Sequence, residues 1–412
     1  MEDDFFINRY SFHGISINAT QMINVTEAIK LILENCNQSR IETVTLLEAN
    51  GCILAENVIS PIDSPPFHQS AVDGYAFSYD NRNKKNELFI KGEIQAGDFS
   101  NLILNPAETL RIFTGAPIPN GSDTVVMQEK IEITGNKIII NDEHLLKGNN
   151  VRLQGSQIKQ GETALKQGQL LMPPAISYLS GLGIAHVKIF SKPTISILAT
   201  GKELIKAGQE LTKGKIFESN AIGLESALQQ INIKPVSVEI VDDSEEELMN
   251  AIKHQLNSDI LILTGGVSVG DYDLVPAVLE KCGVKKIFHK VKQKPGKPFY
   301  FGKYNQTLIF ALPGNPAAVM SCFYEYVVDA ISTFTKKEYF KKTLLPLAED
   351  YNKKSGLTFF LKGKTGEQRV IILENQESYM LNSFAVADCL VELEEEKEVF
   401  KKGDLVKIKT IF

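Results

Sequence analysis

The sequence predicts a multidomain protein in which an α/β domain with a mostly parallel sheet is joined to β-rich modules. Three observations predict it. Residues 191–335 alternate strand-like runs, glycine-bearing loops and helical segments, the rhythm of a parallel sheet covered on both faces. Residues 61–149 are rich in β-branched and aromatic residues broken by Gly, Pro and Asn. Residues 340–412 return to short alternating runs separated by Gly and charge pairs, which reads as a small β-barrel. A length of 412 residues suits about three domains of roughly 150 residues, and the shifts in composition suggest four regions.

The elements follow in chain order. Asn24 and Glu27 make a capping box, and Val25, Ala28, Ile29 and Ile32 recur at helical spacing, so the N-terminal segment is expected to be helical, with a turn at Gly51. Helical reading resumes over 173–182. Residues 15–60 and 150–190 are therefore expected to form a discontinuous helical and linker domain into which the β-rich domain 61–149 is inserted. Within the insertion, 110–114, 124–128 and 137–140 read as strands, with a turn cluster at Pro117, Pro119 and Asn120-Gly121. In the α/β domain, 191–335, strands are expected at 194–199, 236–241, 260–263 and 308–311. Helices are expected at 245–256, opened by a capping box of Asp243 and Glu246, near 274–281, and after Pro316. The run 260–263 is apolar on successive residues, as a strand buried on both faces should be. The C-terminal domain, 340–412, has strand-like runs at 370–373, 390–393 and 405–408.

Composition narrows the function. Apolar residues make up 43% and charged residues 23%, which excludes a mainly disordered or coiled-coil chain. Forty-four basic and fifty acidic side chains give a net charge of −6, so no broad cationic field exists for nucleic acid or an anionic membrane. No apolar stretch approaches a membrane span, and Glu2, Asp3 and Asp4 have the wrong sign for a signal peptide; a cytoplasmic protein is expected. Five cysteines without a CxxC argue against a disulfide framework or thiolate metal site, and scattered histidines without HExxH argue against a zinc hydrolase.

In open α/β sheets, ligands bind beyond the carboxyl ends of the strands. Here those ends carry Gly201-Lys202-Glu203, Asp242-Asp243, Gly265-Gly266-Val267-Ser268-Val269-Gly270-Asp271-Tyr272-Asp273, the lysine-rich loop 290–298, and Leu312-Pro313-Gly314-Asn315-Pro316. A glycine after a strand often only permits a turn, and an Asp or Ser before a helix often only caps it. Five such loops at one edge gather carboxylates, lysines and bare backbone N–H groups. That chemistry suits a phosphate-bearing substrate, a divalent cation and a second anion.

Two short motifs compete. Residues 265–270 have P-loop spacing, but Asp271-Tyr272 stands where Lys-Ser/Thr is required, so a Walker A site is rejected. Residues 266–270 match GxSxG, with Asp273 and His289 downstream, which supports a serine hydrolase using Ser268 as an alternative. Against it, no HGGG-type oxyanion motif is present and Asp273 follows the serine too closely.

The stretches 265–273, Lys294-Pro295-Gly296-Lys297-Pro298 and 312–316 resemble the MoeA/gephyrin family of molybdopterin molybdenumtransferases. So do Ser70-Ala71-Val72-Asp73-Gly74-Tyr75-Ala76, residues 111–117, and Gly148-Asn149-Asn150-Val151-Arg152. These matches run in the family's order over about residues 22–412. The resemblance implies an elongated four-domain homodimer with a central MogA/MoaB-like domain. It implies a cytoplasmic enzyme of molybdenum cofactor synthesis that inserts molybdate into the dithiolene of adenylated molybdopterin and releases AMP with Mg²⁺. A molybdopterin adenylyltransferase upstream and apo-molybdoenzymes downstream are the partners it implies, with no nucleic acid and no membrane. A non-catalytic scaffold of the same fold is a further alternative, because the family's animal member also clusters receptors.

Residue roles carry over by motif. Gly265, Gly266 and Ser268 would line the pterin–phosphate pocket; Asp273, Asp242 and Glu203 would hold Mg²⁺ or water, with Asp243 an alternative to Asp242. Lys294 and Lys297 would receive molybdate, Lys290 would add positive charge, and Pro313 and Pro316 would shape their loop. The resemblance gives Asp73 and Thr114 a catalytic role against the other subunit's site, and Ser383, near Ser378, a substrate contact. The chain departs from the family after Arg152, where it reads Leu153-Gln154-Gly155-Ser156-Gln157, and across 356–362, where Lys362 is the one cation in place of an arginine-rich turn.

Overall fold

The computed structural model describes residues 22–36, 39–81, 86–99, 103–267 and 274–412. Ser268 and Asp273, both expected at the site, lie outside the described residues. The chain forms two compact units, one of residues 41–189 and one of the segments before and after it.

Helix α1 (Val25–Asn35) starts at Asn24, whose Oδ1 accepts the Glu27 N–H at 2.8 Å. It buries Val25, Ala28 and Ile32 in the same core as the α/β sheet. It thus belongs to the unit that holds residues 190–412, although the sequence grouped it with 150–190. An apolar stripe can be read locally, but the surface it meets cannot.

In the 41–189 unit, residues 46–54 and 164–189 share one small core around Leu54, Leu171, Leu179 and Val187. The helical character expected there is confined to α2 (Pro173–Gly181); the rest is turns and short paired strands. Between these segments lies a six-stranded sheet: β1 (Gly74–Phe77), β2 (Glu87–Ile94), β3 (Glu108–Ile112), β4 (Thr124–Met127), β5 (Ile131–Thr134) and β6 (Lys137–Ile140). Its order is β4-β1-β3-β2-β6-β5, with only β2 and β3 parallel.

The α/β sheet consists of β7 (Ile195–Thr200), β8 (Ser237–Val241), β9 (Ile260–Thr264), β10 (Lys285–His289), β11 (Tyr300–Tyr304) and β12 (Thr307–Leu312). The order is β8-β7-β9-β12-β11-β10, and the first four strands are parallel. Strand β11 runs antiparallel to both neighbours. Side chains alternate between two cores. Ile197, Ile262 and Phe310 face α3 (Asn220–Gln230) and α6 (Pro316–Cys322), whereas Leu198, Leu263 and Ile309 face α4 (Glu245–Gln255) and α5 (Val275–Lys281). Burial on both faces explains the unbroken apolar runs. Ser244, not Asp243, caps α4, accepting the Glu247 N–H. Asp243 is drawn instead to the end of β7.

Helix α6 continues through a π-turn, Phe323–Val327, into α7 (Val328–Thr335). Residues 340–412 add β13 (Lys342–Pro346), β14 (Thr358–Gly366), β15 (Arg369–Ile372), β16 (Cys389–Leu393) and β17 (Leu405–Thr410). The order is β14-β16-β17-β13, with β15 on the other edge of β14. A bridge from Leu347 to Val370 links the end of β13 towards β15. Two residues of the lysine-rich loop, Gln293 and Lys294, pair in parallel with Thr358 and Phe359 of β14. No disulfide forms among the five cysteines, and burial pushes the Cys322 thiol up to about 12.

Lys409 of β17 is buried and faces the π-turn helix. Its Nζ lies 2.9 Å from Asp329 and 3.6 Å from Glu325, and it donates to the Tyr324 carbonyl. Removing one partner of a buried pair leaves a charge uncompensated. Lys409→Met is expected to lower the stability of this unit by about 3 kcal/mol, read as a fall in the urea midpoint with the slope unchanged.

Candidate functional site

Parallel register brings four loops together. Thr200 pairs with Val241, Ala199 with Thr264, and Thr264 with Leu312, so β7, β8, β9 and β12 end within one residue of each other. Strand β10 runs parallel to β12 across β11, so His289 and Lys290 emerge at the same edge.

Each turn is fixed by its own bonds. Gly265 has φ +95°, and a Cβ there would lie 2.4 Å from the Thr200 carbonyl oxygen. Only glycine lets β9 turn so close to β7. A Cβ on Gly266, at φ +60°, would lie 2.9 Å from Val275. The Thr264 hydroxyl donates to the Pro313 carbonyl at 3.3 Å and accepts from Asn220 Nδ2 at 2.9 Å. The same Nδ2 donates to the Gly314 carbonyl at 2.9 Å. Asn220 Oδ1 is buried with no hydrogen-bond partner among the described residues. Asn220 has one signal in the sequence, a polar residue opening α3. Pro313 is buried, and Pro316 is the first residue of α6, where its missing N–H costs nothing.

The two aspartates separate clearly. Asp243 accepts the Thr200 hydroxyl at 2.6 Å and the Lys202 N–H at 3.4 Å. Asp242 is exposed and accepts the Asp243 N–H, at 2.6 Å. Glu203 is half-buried on the next loop. Among the described residues, no three His, Cys, Asp or Glu side chains gather as a metal site. His289 Nε2 lies 3.0 Å from the Val267 carbonyl oxygen.

The lysine-rich loop is preformed. The buried Gln293 amide donates to the carbonyls of Pro295 and Gly296, both at 3.1 Å, while the Tyr326 hydroxyl donates to its Oε1. A Cβ on Gly296 would meet Cys322 Sγ at 2.6 Å. Lys294 and Lys297 project from this frame, both exposed, and Lys294 Nζ lies 5.6 Å from the Phe359 ring centre. Neither has an ion-pair partner among the described residues. Lys290 is half-buried at φ +80°.

Ser383 differs from expectation: it is buried, and its hydroxyl donates to the Asn375 carbonyl at 2.8 Å. Ser378 instead touches the edge, accepting Asn315 Nδ2 at 2.8 Å through its hydroxyl and the Ala317 N–H at 3.0 Å through its carbonyl. In the other unit, Asp73 and Thr114 meet. Asp73 Oδ1 accepts both the N–H and the hydroxyl of Thr114 at 2.8 Å. The backbone donor first, then the hydroxyl, holds the Asp73 carboxyl below the usual range.

The α/β fold with its loops at one sheet edge defines the class of domain, and family models name it. The model described as a probable molybdopterin binding domain matches residues 196–333. Those of the MoeA N-terminal region (domain I and II) and C-terminal region (domain IV) match 23–183 and 345–411. A molybdopterin molybdenumtransferase of Haemophilus influenzae is 33% identical over 397 residues, covering 94% of this chain and 98% of the relative. One from Staphylococcus epidermidis is 32% identical, covering 96% and 97%. The crystal structure of a molybdopterin biosynthesis MoeA protein from Pyrococcus horikoshii superposes with a TM-score of 0.81 at 27% identity, covering 95% of this chain and all of that one. The chain belongs to the MoeA family of molybdopterin molybdenumtransferases.

Two outcomes test this geometry. Gly265→Ala is expected to cost about 2 kcal/mol, seen in urea unfolding. Thr114→Val removes one of two donors, so the Asp73 carboxyl should rise towards the ordinary value yet stay below it in an NMR titration.

Proposed function

We propose that the protein inserts molybdate into the dithiolene of adenylated molybdopterin and releases AMP. The observation that supports this reading is the preformed loop from which Lys294 and Lys297 project, in the same unit as the glycine turn that follows β9. Glycine turns offer backbone N–H groups to phosphate oxygens. Two ammonium groups on a fixed frame receive a tetrahedral dianion beside them, and such proximity lowers the barrier by prior ordering. Lys290 adds positive charge, and Pro313 and Pro316 set the turn that closes the pocket. The Asn220 acceptor suits a donor on the pterin, which carries ring N–H and amino groups.

Mg²⁺ is part of the proposal, with Asp273, Asp242 and Glu203 as its ligands. Asp242 fits this better than Asp243, whose carboxylate is already engaged at the end of β7. The described carboxylates alone do not assemble a cation site, so Asp273 is the ligand on which this part rests. When bound, the ion would neutralise charge on the phosphoryl oxygens. We propose further that the enzyme is a cytoplasmic homodimer, that Asp73 and Thr114 act in catalysis, and that the four-domain division has its α/β boundaries at 191–335. No helix among the described residues is long and apolar enough to cross a membrane.

The test is AMP release from adenylated molybdopterin with Mg²⁺, with and without molybdate. Molybdate-stimulated release, yielding a product that activates a cofactor-free molybdoenzyme, supports the reading; pterin binding without release opposes it. Lys294→Ala and Lys297→Ala should each raise the KM for molybdate about tenfold, or roughly 1.4 kcal/mol. Asp273→Asn should abolish release, and an unchanged rate would remove that residue from the mechanism. Fluorophosphonate labelling of Ser268 would favour a serine hydrolase.

A further inference from the structure

Strand β14 carries an ammonium group where an apolar side chain would be expected. Lys362 is 2% exposed. Its Nζ donates to the carbonyls of Asn375 at 2.8 Å, Met380 at 3.2 Å and Glu377 at 3.4 Å. Three acceptors match the three N–H donors of an ammonium. All three belong to one loop, and the backbone of Lys362 holds that loop as well. Its N–H donates to Gln376 Oε1, and its carbonyl accepts Gln376 Nε2, each at 2.9 Å. The buried Ser383 hydroxyl ties down the same Asn375 carbonyl. The loop from 373 to 383 is thus wound around one lysine.

What the loop delivers is Ser378. Its hydroxyl and carbonyl bind Asn315 and Ala317, on either side of Pro316. The same turn is also held by Asn220 on the Gly314 carbonyl and Thr264 on the Pro313 carbonyl. The turn is therefore clamped between the α/β domain and a loop that Lys362 organises. Burying an ammonium without a carboxylate on it is expensive, and burial lowers the Lys362 pKa to about 8. Mere filling of space would be served better by leucine or methionine.

We propose that Lys362 is a positioning residue for the adenylated pterin, its ammonium fixing the 375–380 loop so that Ser378 holds the Pro313–Pro316 turn in its substrate-receiving shape. This rests on the function proposed above. Lys362 touches no substrate and acts through Ser378.

The experiment uses the full chain with Lys362→Met, Ser378→Ala and the double variant. Hydrogen exchange is followed by mass spectrometry on peptides covering 313–317, together with KM and kcat for adenylated molybdopterin. Each single variant should speed exchange in that segment while the β9 segment stays protected. Each should raise KM about tenfold and change kcat by less than about twofold. The double variant should be no worse than the worse single one, because both changes break one linkage. Unchanged exchange at 313–317 in Lys362→Met, or multiplicative effects in the double variant, would overturn the proposal. Should Lys362→Met fail to fold, Ser378→Ala decides by the same two readouts. If the unmodified enzyme shows no molybdate-dependent AMP release, the functional reading fails, while the exchange data still decide whether Lys362 holds the turn.

Discussion

Everything at the candidate site depends on the level register of four parallel strands. Because β8, β7, β9 and β12 stop within one residue of each other, their loops open at one height. A slip of one residue would reverse every side chain between the two cores. The near-complete burial of Ile197, Leu198, Ile262, Leu263, Ile309 and Phe310 forbids it. The hydrophobic effect thus sets the geometry of a polar site without contributing an atom to it. Gly265 shows how tight the result is, since the turn leaving β9 nearly touches the last carbonyl of β7.

Onto this edge the C-terminal sheet grafts a second constraint. Strand β14 takes Gln293 and Lys294 as a neighbouring strand, and the Gln293 amide and the Tyr326 hydroxyl secure the rest of the loop. The same sheet, through Ser378, reaches the turn after β12. The α/β domain supplies the loops, and the C-terminal residues fix the shape of two of them.

Much of this was legible in the sequence. Strands β7, β8, β9 and β12 were marked by apolar runs, and the glycine and lysine loops stood where such a sheet places its ligands. Asp73 and Thr114, singled out through family motifs, are directly bonded. What the sequence hid were partners distant along the chain. Asp243 looked like a helix cap, but the Thr200 hydroxyl, 43 residues away, claims its carboxylate and leaves the cap to Ser244. Ser383 was the serine expected to contact substrate, with Ser378 only nearby, and the winding of their loop turns Ser383 inward and Ser378 to Asn315. Asn220 carried no local pattern, because its role lies in bridging Thr264 and Gly314. Helix α1 showed its stripe but not which unit would cover it. Local periodicity encodes elements; bonds that fold distant loops together have no period.

The weaving of Lys294 into a sheet bears on how an anion is captured. A cation on a loose loop must surrender backbone freedom at about 1–2 kcal/mol per residue when it closes on its target. Here that ordering was completed when the chain folded, and only the rotamers of Lys294 and Lys297 remain to be chosen. In the proposed reaction, recognition of a small, symmetric, strongly hydrated dianion would thereby become a contest between its water shell and two waiting ammonium groups, with hardly any contribution from protein motion.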